Sequence, residues 1–306
     1  MKIAVVGTGA MGSVYAALLA GAGNEVWAID RWQDHVDAIN ANGLRVEGAS
    51  GDRTVPLRAS VNAADAGVCD LVIVATKALD VEAAAESIRP LLGSDTVVLP
   101  IQNGLGAPDR IASVVGEEPV MIGVTGGFGA SMRGPGHAHH NGWELVRLGE
   151  RRGPATDRVR TVAQVWEDAG FRVAVYDDVD QLVWEKLLCN STFSGTCALL
   201  EWPIGEVLAD PHAWSIASGC ASEVYAVARA KGIHLDFDDP VAYARAFGET
   251  IPGARPSMLL DVLAGRPCEV DVINGAIGPA ARTVGLEAPI NDTVAALVRA
   301  KNLRAS

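Results

Sequence analysis

The chain has 306 residues, with 25 basic against 37 acidic side chains for a formal net charge of −12, and 49% apolar positions. That length suits about two domains with real cores, the composition is not that of a disordered chain, and the charge has the wrong sign for holding nucleic acid or anionic lipid through bulk attraction. The five cysteines, Cys69, Cys189, Cys197, Cys220 and Cys268, are widely spaced and form no C-x-x-C pair, which predicts a reduced, cytoplasmic chain rather than a disulfide framework or a zinc site.

In chain order, Lys2 to Val6 is a buried strand candidate and residues 11 to 22 form the helix after it. Glu25 to Asp30 is the second strand. A short helix covers 32 to 41, and Leu44 to Leu57 reads as a pair of strands turning at Ala49-Ser50-Gly51-Asp52. Asp70 to Ala75 is the next strand, followed by an Ala-rich helix near 80 to 92 and a strand from Thr96 to Ile101. Short β-rich runs alternating with helices predict a parallel sheet covered by helices. The segment from Gly123 to Gly142 is rich in Gly and His, turns at Gly134-Pro135-Gly136 and leads into a strand from Trp143 to Leu148. A helix near 155 to 169 and a strand from Phe171 to Tyr176 close this domain. From Asp178 the chain reads as almost entirely helical. No internal repeat is visible and no apolar run is long enough to span a bilayer. Lys2 and the apolar residues after it superficially resemble a secretory signal, but the glycines there have a better explanation.

Gly7-Thr8-Gly9-Ala10-Met11-Gly12 fits G-x-G-x-x-G, directly after a predicted strand and at the start of a predicted helix. This is the context a dinucleotide fingerprint requires. The first two glycines allow the tight turn and the approach of a pyrophosphate to the helix N-terminus, and the third lets helix pack on sheet. Asp30, ending the second strand, is placed to accept hydrogen bonds from the adenosine ribose hydroxyls, which favours NAD(H) and repels a 2′-phosphate. Arg31 is the residue that would pair with such a phosphate, or else is a solvated charge at a strand end. The expectation is an α/β chain: a Rossmann-type, doubly wound sheet over residues 1 to 176, then a smaller all-α domain over 177 to 306.

Further motifs are Ala75-Thr76-Lys77, Gln102-Asn103-Gly104, the run His35 to Leu44, Trp184-Glu185-Lys186-Leu187 with Asn190, Pro256-Ser257-Met258-Leu259 with Asp261, and Glu269 to Gly275. Together with the glycine loop they resemble the ketopantoate reductase (2-dehydropantoate 2-reductase) family, from Met1 to about residue 292. The resemblance implies reduction of a 2-oxo acid to its 2-hydroxy acid, with NADP(H), in a cleft between a Rossmann domain and a helical domain, as in pantothenate biosynthesis. Hydride arriving at the carbonyl carbon leaves negative charge on oxygen, so the site needs a cation or proton donor there. The resemblance gives that role to Lys186. At about 100° per residue, Lys186, Asn190 and Ser194 share an arc of roughly 80° on one helix face, opposite Trp184 and Leu188.

The resemblance further implies that Glu269 hydrogen-bonds a substrate hydroxyl and holds the lysine, that Ser257 contacts the substrate carboxylate, and that Asn103 contacts the nicotinamide ribose or the substrate. Lys77 would reach cofactor or substrate. Each has an ordinary alternative: an acid near a helix N-terminus for Glu269, a helix N-cap for Ser257, an Asn-Gly turn for Asn103, and exposed lysines for Lys77 and Lys186. Where many relatives place asparagines along the pantoyl pocket, this chain has Ser194, Ile204 and Ala254, which weakens the case for a dihydroxylated substrate. A second reading is therefore an NAD-dependent D-2-hydroxyacid dehydrogenase for branched or aromatic 2-oxo acids. A third, of another class, is a non-catalytic nucleotide-binding redox sensor. No metal is expected at His137, His139 and His140, whose spacing completes no familiar site. The seven tryptophans read as packing residues, and Cys189 as a buried helix cysteine. A homodimer is compatible with the resemblance, because helical second domains of such reductases often carry a dimer contact.

Overall fold

The computed structural model describes residues 1–127, 129–142 and 145–305, the last three by their backbone alone. The chain forms two compact units, one of residues 1–102 and 106–179, the other of 103–105 and 180–306. The division falls after Val179, inside the first turn of a helix, and the short segment from Asn103 to Leu105 belongs with the second unit.

The first unit contains β1 (Lys2–Val6), α1 (Ala10–Gly21), β2 (Glu25–Ile29), α2 (Gln33–Asn42), β3 (Leu44–Gly48), β4 (Arg53–Val55), β5 (Arg58–Ser60), β6 (Leu71–Val74), α3 (Val81–Ser87), β7 (Val97–Pro100), α4 (Ala107–Val115), β8 (Met121–Thr125), β9 (Gly129–Gly134), β10 (His137–Gly142), β11 (Leu145–Glu150), α5 (Asp157–Asp168) and β12 (Arg172–Val175). Five strands make a parallel sheet in the order β5-β2-β1-β6-β7. Both β6 and β7 are buried along their whole length. Their unbroken apolar runs, Leu71 to Val74 and Val97 to Pro100, are what burial on both faces of a parallel sheet demands. The strand order reverses between β1 and β6, a topological switch that opens a crevice at the carboxyl ends of the strands.

Two smaller sheets complete this unit, β4-β3-β10-β9 and β12-β11-β8. Helix α1 packs on β1 and β2 with one side and on β3, β9 and β10 with another. This accounts for a helix that is apolar nearly all round, since no face is left for water. Tyr15 of α1, Trp166 of α5 and Phe171 meet with ring centroids 4.7 to 5.9 Å apart and fix α5 against α1.

Several elements differ from expectation. The helix expected over 80 to 92 stops at Ser87 and resumes as a 3₁₀ turn, Arg89–Leu91, because Pro90 cannot continue an α-helix. β5, α4 and β8 were not anticipated: β5 is a three-residue strand with two polar residues, α4 opens on Gly106 and Pro108, and Gly123 breaks the apolar run of β8. The Gly- and His-rich segment forms the β9–β10 hairpin, and β10 also pairs in parallel with β3. Ala138 and His140 of β10 point inward while His137 and His139 are partly exposed. The strand expected from Trp143 is described from Leu145; Trp143 itself lies outside the described residues.

The second unit is helical: α6 (Val179–Leu200), α7 (Ile204–Ala209), α8 (Pro211–Ala230), α9 (Pro240–Thr250), α10 (Ser257–Leu263), α11 (Asn274–Arg282) and α12 (Pro289–Ala305). Its axis is α6, which is buried from Ser191 to Ala198. Phe193 stands beside Trp214 and Phe247, and a Cβ at Gly195 would strike Val294 and Asn274. The α6 carboxyl end is closed by Lys301 of α12, whose Nζ donates to the carbonyls of Ala198 and Leu199 at 3.0 and 2.9 Å.

Candidate active site

Val6 leads out of β1 into Gly7, whose N–H donates to the Ile29 carbonyl at 2.8 Å. Gly7 has φ +89°, and a Cβ there would sit 2.6 Å from the Thr76 nitrogen, so only glycine closes this turn. A Cβ on Gly12 would collide with the Gly7 carbonyl, whereas one on Gly9 would meet nothing within 4 Å. Gly9 is the N-cap of α1, with no side-chain cap and no acid in the first turn. The amide end of the helix is thus open to an anion. Thr8 and Thr76 each bury a hydroxyl oxygen that lacks a hydrogen-bond partner among the described residues. A buried hydroxyl without a partner is costly. An open helix N-terminus, a glycine that leaves room and two unsatisfied hydroxyls fit a dinucleotide pyrophosphate at Gly7, Thr8, Gly9, Ala10, Met11 and Gly12.

The loop rests on a buried hydrogen-bond chain that sequence reasoning missed. The Gly136 N–H donates to His35 Nδ1 at 2.9 Å, which leaves the ring proton on Nε2, 3.4 Å from Ser13 Oγ. The Ser13 hydroxyl in turn donates to the Thr8 carbonyl at 2.9 Å. His35 is fully buried, and burial pulls its pKa below the ordinary value against the opposing pull of Asp30. The imidazole is therefore neutral at physiological pH. Its His-containing motif was visible in the sequence, but the partner Gly136 lies 101 residues away.

At the end of β2, Asp30 Oδ1 accepts from the Trp32 N–H at 3.0 Å. The Trp32 ring, 40% exposed, stacks on His35 at 5.3 Å, an exception to the expectation that the tryptophans are packing residues. Arg31 reaches to the turn after β6 and pairs with Asp80 at 2.9 Å. Lys77 opens that turn and is exposed. Gln102 Nε2 donates to the Val74 and Thr76 carbonyls at 2.8 and 3.2 Å, tying the end of β7 to the end of β6.

In the second unit, Asn103 Nδ2 donates to Glu269 Oε2 at 3.1 Å, joining two motif residues 166 positions apart. Gly104 makes the approach possible: it has φ +79° and a Cβ there would collide with the Val272 carbonyl, which accepts the Leu105 N–H at 2.9 Å. Glu269 is 9% exposed and stands at the N-cap position of the 3₁₀ turn Val270–Val272, where its side chain makes no cap hydrogen bond; its carboxylate meets Asn103 instead. Ser257 is not an N-cap; that position falls on Pro256, and Ser257 is exposed in the first turn of α10. On α6, Lys186 and Asn190 are half-buried and Ser194 is buried. Ile204 is buried and linked to Ala254 by a backbone bond of 3.1 Å, so two of the positions that depart from the family pattern are neighbours. Burial pushes the Cys189 thiol up to about 12, which keeps it protonated and unreactive at neutral pH.

Other motif residues turn out to hold the unit together. Asn274 Nδ2 donates to the Ser191 carbonyl of α6 at 2.8 Å and to Asn291 Oδ1 at 2.9 Å. Glu223 of α8 accepts from the Ile290 and Asn291 N–H groups and from Asn291 Nδ2 at 2.8 to 2.9 Å. Away from the site, His137 and His139 both face the Glu47 carboxylate, at 3.2 and 3.4 Å. Among the described residues, no group of three His, Cys, Asp or Glu could hold a metal, and no helix is long and apolar enough to cross a membrane.

A glycine-rich loop at the switch point of a parallel sheet, joined to a helical unit carrying a buried carboxylate and a lysine-bearing central helix, defines a two-domain dinucleotide-binding oxidoreductase. The family model for ketopantoate reductase PanE/ApbA matches residues 3–153, and that for its C-terminal domain matches residues 178–302. The chain belongs to the ketopantoate reductase family, nicotinamide-dependent oxidoreductases acting on a CH–OH group. It is 30% identical over 302 residues to a 2-dehydropantoate 2-reductase of Streptococcus pyogenes, covering 98% of each chain. A solved 2-dehydropantoate 2-reductase from Geobacter metallireducens is 33% identical with a TM-score of 0.92, over 98% of this chain and 99% of the other. Equally similar in fold is a D-mandelate dehydrogenase solved with NADH and anilino(oxo)acetate, 30% identical, TM-score 0.92, over 100% of this chain and 99% of the other.

Proposed function

We propose that this enzyme reduces 2-dehydropantoate, or a closely related 2-oxo acid, to the corresponding 2-hydroxy acid. The observation that carries the reading is the Asn103–Glu269 hydrogen bond, which joins two motifs remote in sequence around a half-buried asparagine and a buried carboxylate. The reduced nicotinamide supplies the hydride. Lys186, as an ammonium, stabilises the charge developing on the carbonyl oxygen and donates a proton to it. Glu269, held by Asn103, accepts a hydrogen bond from a substrate hydroxyl and orients the lysine. Ser257, Asn190 and Ser194 position the substrate, and Lys77 is a cation for cofactor or substrate. The glycine loop, Asp30, Arg31 and Asn103 are assigned to the dinucleotide. Replacing Lys186 by Ala is expected to lower kcat by about 10² to 10⁴ while leaving the Kd for reduced dinucleotide within error. Turnover close to wild type in Lys186→Ala would overturn the assignment.

A specific observation supports a second reading, NADH-dependent reduction of branched or aromatic 2-oxo acids to D-2-hydroxy acids. Asp30 is fixed at the ribose end of β2 by the Trp32 amide, and Ile204 and Ala254 are apolar neighbours where hydroxyl recognition would need amides. The D-mandelate dehydrogenase likeness fits this reading. Comparing kcat/KM for ketopantoate with that for 2-oxo acids lacking the hydroxyl separates the two, and a strong ketopantoate preference would reject the second. Five buried thiols without disulfides support a cytoplasmic location. Leu200, Ile216 and Leu297, each more than a third exposed, rim an apolar cavity of about 680 Å³ between α6, α8 and α12. Such a patch supports a homodimer through the second unit.

A further inference from the structure

Arg31 and Asp80 come from opposite sides of β1. Arg31 follows β2 and Asp80 ends the 3₁₀ turn after β6, and β2 and β6 are the two neighbours of β1 in the sheet. Two strand spacings, about 10 Å, separate their ends. The ion pair at 2.9 Å therefore bridges the carboxyl end of β1, where the glycine loop begins and the strand order switches. The Arg31 side chain is 80% exposed and that of Asp80 39%, and among the described residues this carboxylate is the polar partner that holds the guanidinium on its long, flexible stem. Asp30, one residue earlier, holds the position from which a carboxylate meets ribose hydroxyls and repels a 2′-phosphate.

We propose that Asp80 is a specificity-determining residue for the coenzyme, acting by holding the Arg31 guanidinium away from the ribose 2′ position. The inference rests on the dinucleotide reading above. Arg31 is the one cation next to Asp30 in the chain, and a guanidinium there would form a bidentate pair with a 2′-phosphate. Paired with Asp80 instead, it is neutralised and turned across the crevice. Discrimination against the phosphorylated coenzyme then comes from Asp30 by repulsion and from Asp80 by occupying the cation next to it in sequence.

The test is calorimetric titration of the whole enzyme and its Asp80→Asn, Asp80→Glu and Asp80→Asn/Arg31→Ala variants with adenosine 5′-monophosphate and adenosine 2′,5′-bisphosphate, which differ by the 2′-phosphate alone. KM values for NADH and NADPH are measured alongside. An exposed pair restrains its members weakly, so Asp80→Asn is expected to tighten the bisphosphate by about two- to fivefold and leave the monophosphate unchanged. Asp80→Glu keeps the wild-type ratio, added salt shrinks the gain, and Arg31→Ala in the Asp80→Asn background cancels it. An unchanged ratio in Asp80→Asn, or a gain that survives loss of Arg31, would overturn the proposal while leaving the dinucleotide reading intact. Wild-type enzyme that binds neither NADH nor NADPH would overturn both.

Discussion

Gly104 illustrates how much of this chemistry depends on single backbone positions. Its φ of +79° and its contact with the Val272 carbonyl leave no room for a methyl group. Gly104→Ala is expected to cost more than about 1 kcal/mol of stability and to lower kcat/KM by displacing Asn103 from Glu269; denaturant titration and steady-state kinetics read both. His35 makes a second prediction. Burial lowers its folded pKa below 6.5, so as pH falls below that value the unfolded chain takes up a proton that the folded chain refuses. Stability should therefore be full above pH 6.5 and decline through the acid range down to the folded pKa. His140 is lowered for the same reason, so His35→Gln should flatten part of this decline in pH-dependent thermal unfolding, and an unaltered slope would contradict the neutral-imidazole account. The turn of the glycine loop could be read from sequence because its residue types are dictated locally by the room at Gly7 and Gly12. The role of His35 could not, because its partners are a backbone amide and a serine on other elements.

Among the elements, legibility followed burial geometry. The strands β1, β6 and β7 of the parallel sheet announce themselves as continuous apolar runs, whereas its edge strand β5 is three residues and largely polar, α4 opens on Gly and Pro, and β8 is interrupted by Gly123. β10 conceals its alternation because half of its inward positions are taken by His140. Helix α6 carries Lys186, Asn190 and Ser194 on one face with Trp184 and Leu188 buried opposite, as the spacing predicts, yet Ser194 is buried too, which amphipathic periodicity alone does not reveal. Ser257 and Glu269 were separable from ordinary helix-capping residues only by structure, since the α10 cap position falls on Pro256 and the Glu269 side chain, at the N-cap position of a 3₁₀ turn, makes no cap hydrogen bond. The α12 N-terminus depends on Glu223, which satisfies two backbone amides and Asn291. Glu223→Ala should destabilise the enzyme by about 1 to 3 kcal/mol in chemical denaturation. Kinetic constants at temperatures well below unfolding should not change; a loss of kcat instead would mean that Glu223 acts in the reaction.

At the scale of the whole molecule, the chain divides into a Rossmann-type unit and a helical unit, to which the proposed function assigns the dinucleotide and the substrate groups respectively. The net charge of −12 has the wrong sign for bulk attraction of anionic ligands, so the proposed function relies on local groups, the α1 N-terminus, Lys77 and Lys186. The exposed apolar residues of α6, α8 and α12 carry the proposed self-association. Sedimentation of Ile216→Glu/Leu297→Glu should give a monomer where the wild type gives a dimer, and a wild-type monomer at all concentrations would contradict it. The central claim, that this chain reduces a 2-oxo acid with a nicotinamide coenzyme through Lys186, is tested most directly by following oxidation of NADH and NADPH in parallel by wild type and Lys186→Ala, with ketopantoate and with 2-oxo acids lacking its hydroxyl. The account predicts substrate-dependent oxidation by the wild type that falls by about 10² to 10⁴ without Lys186. Absence of oxidation with every 2-oxo acid and both coenzymes, or equal rates in the two proteins, would contradict it.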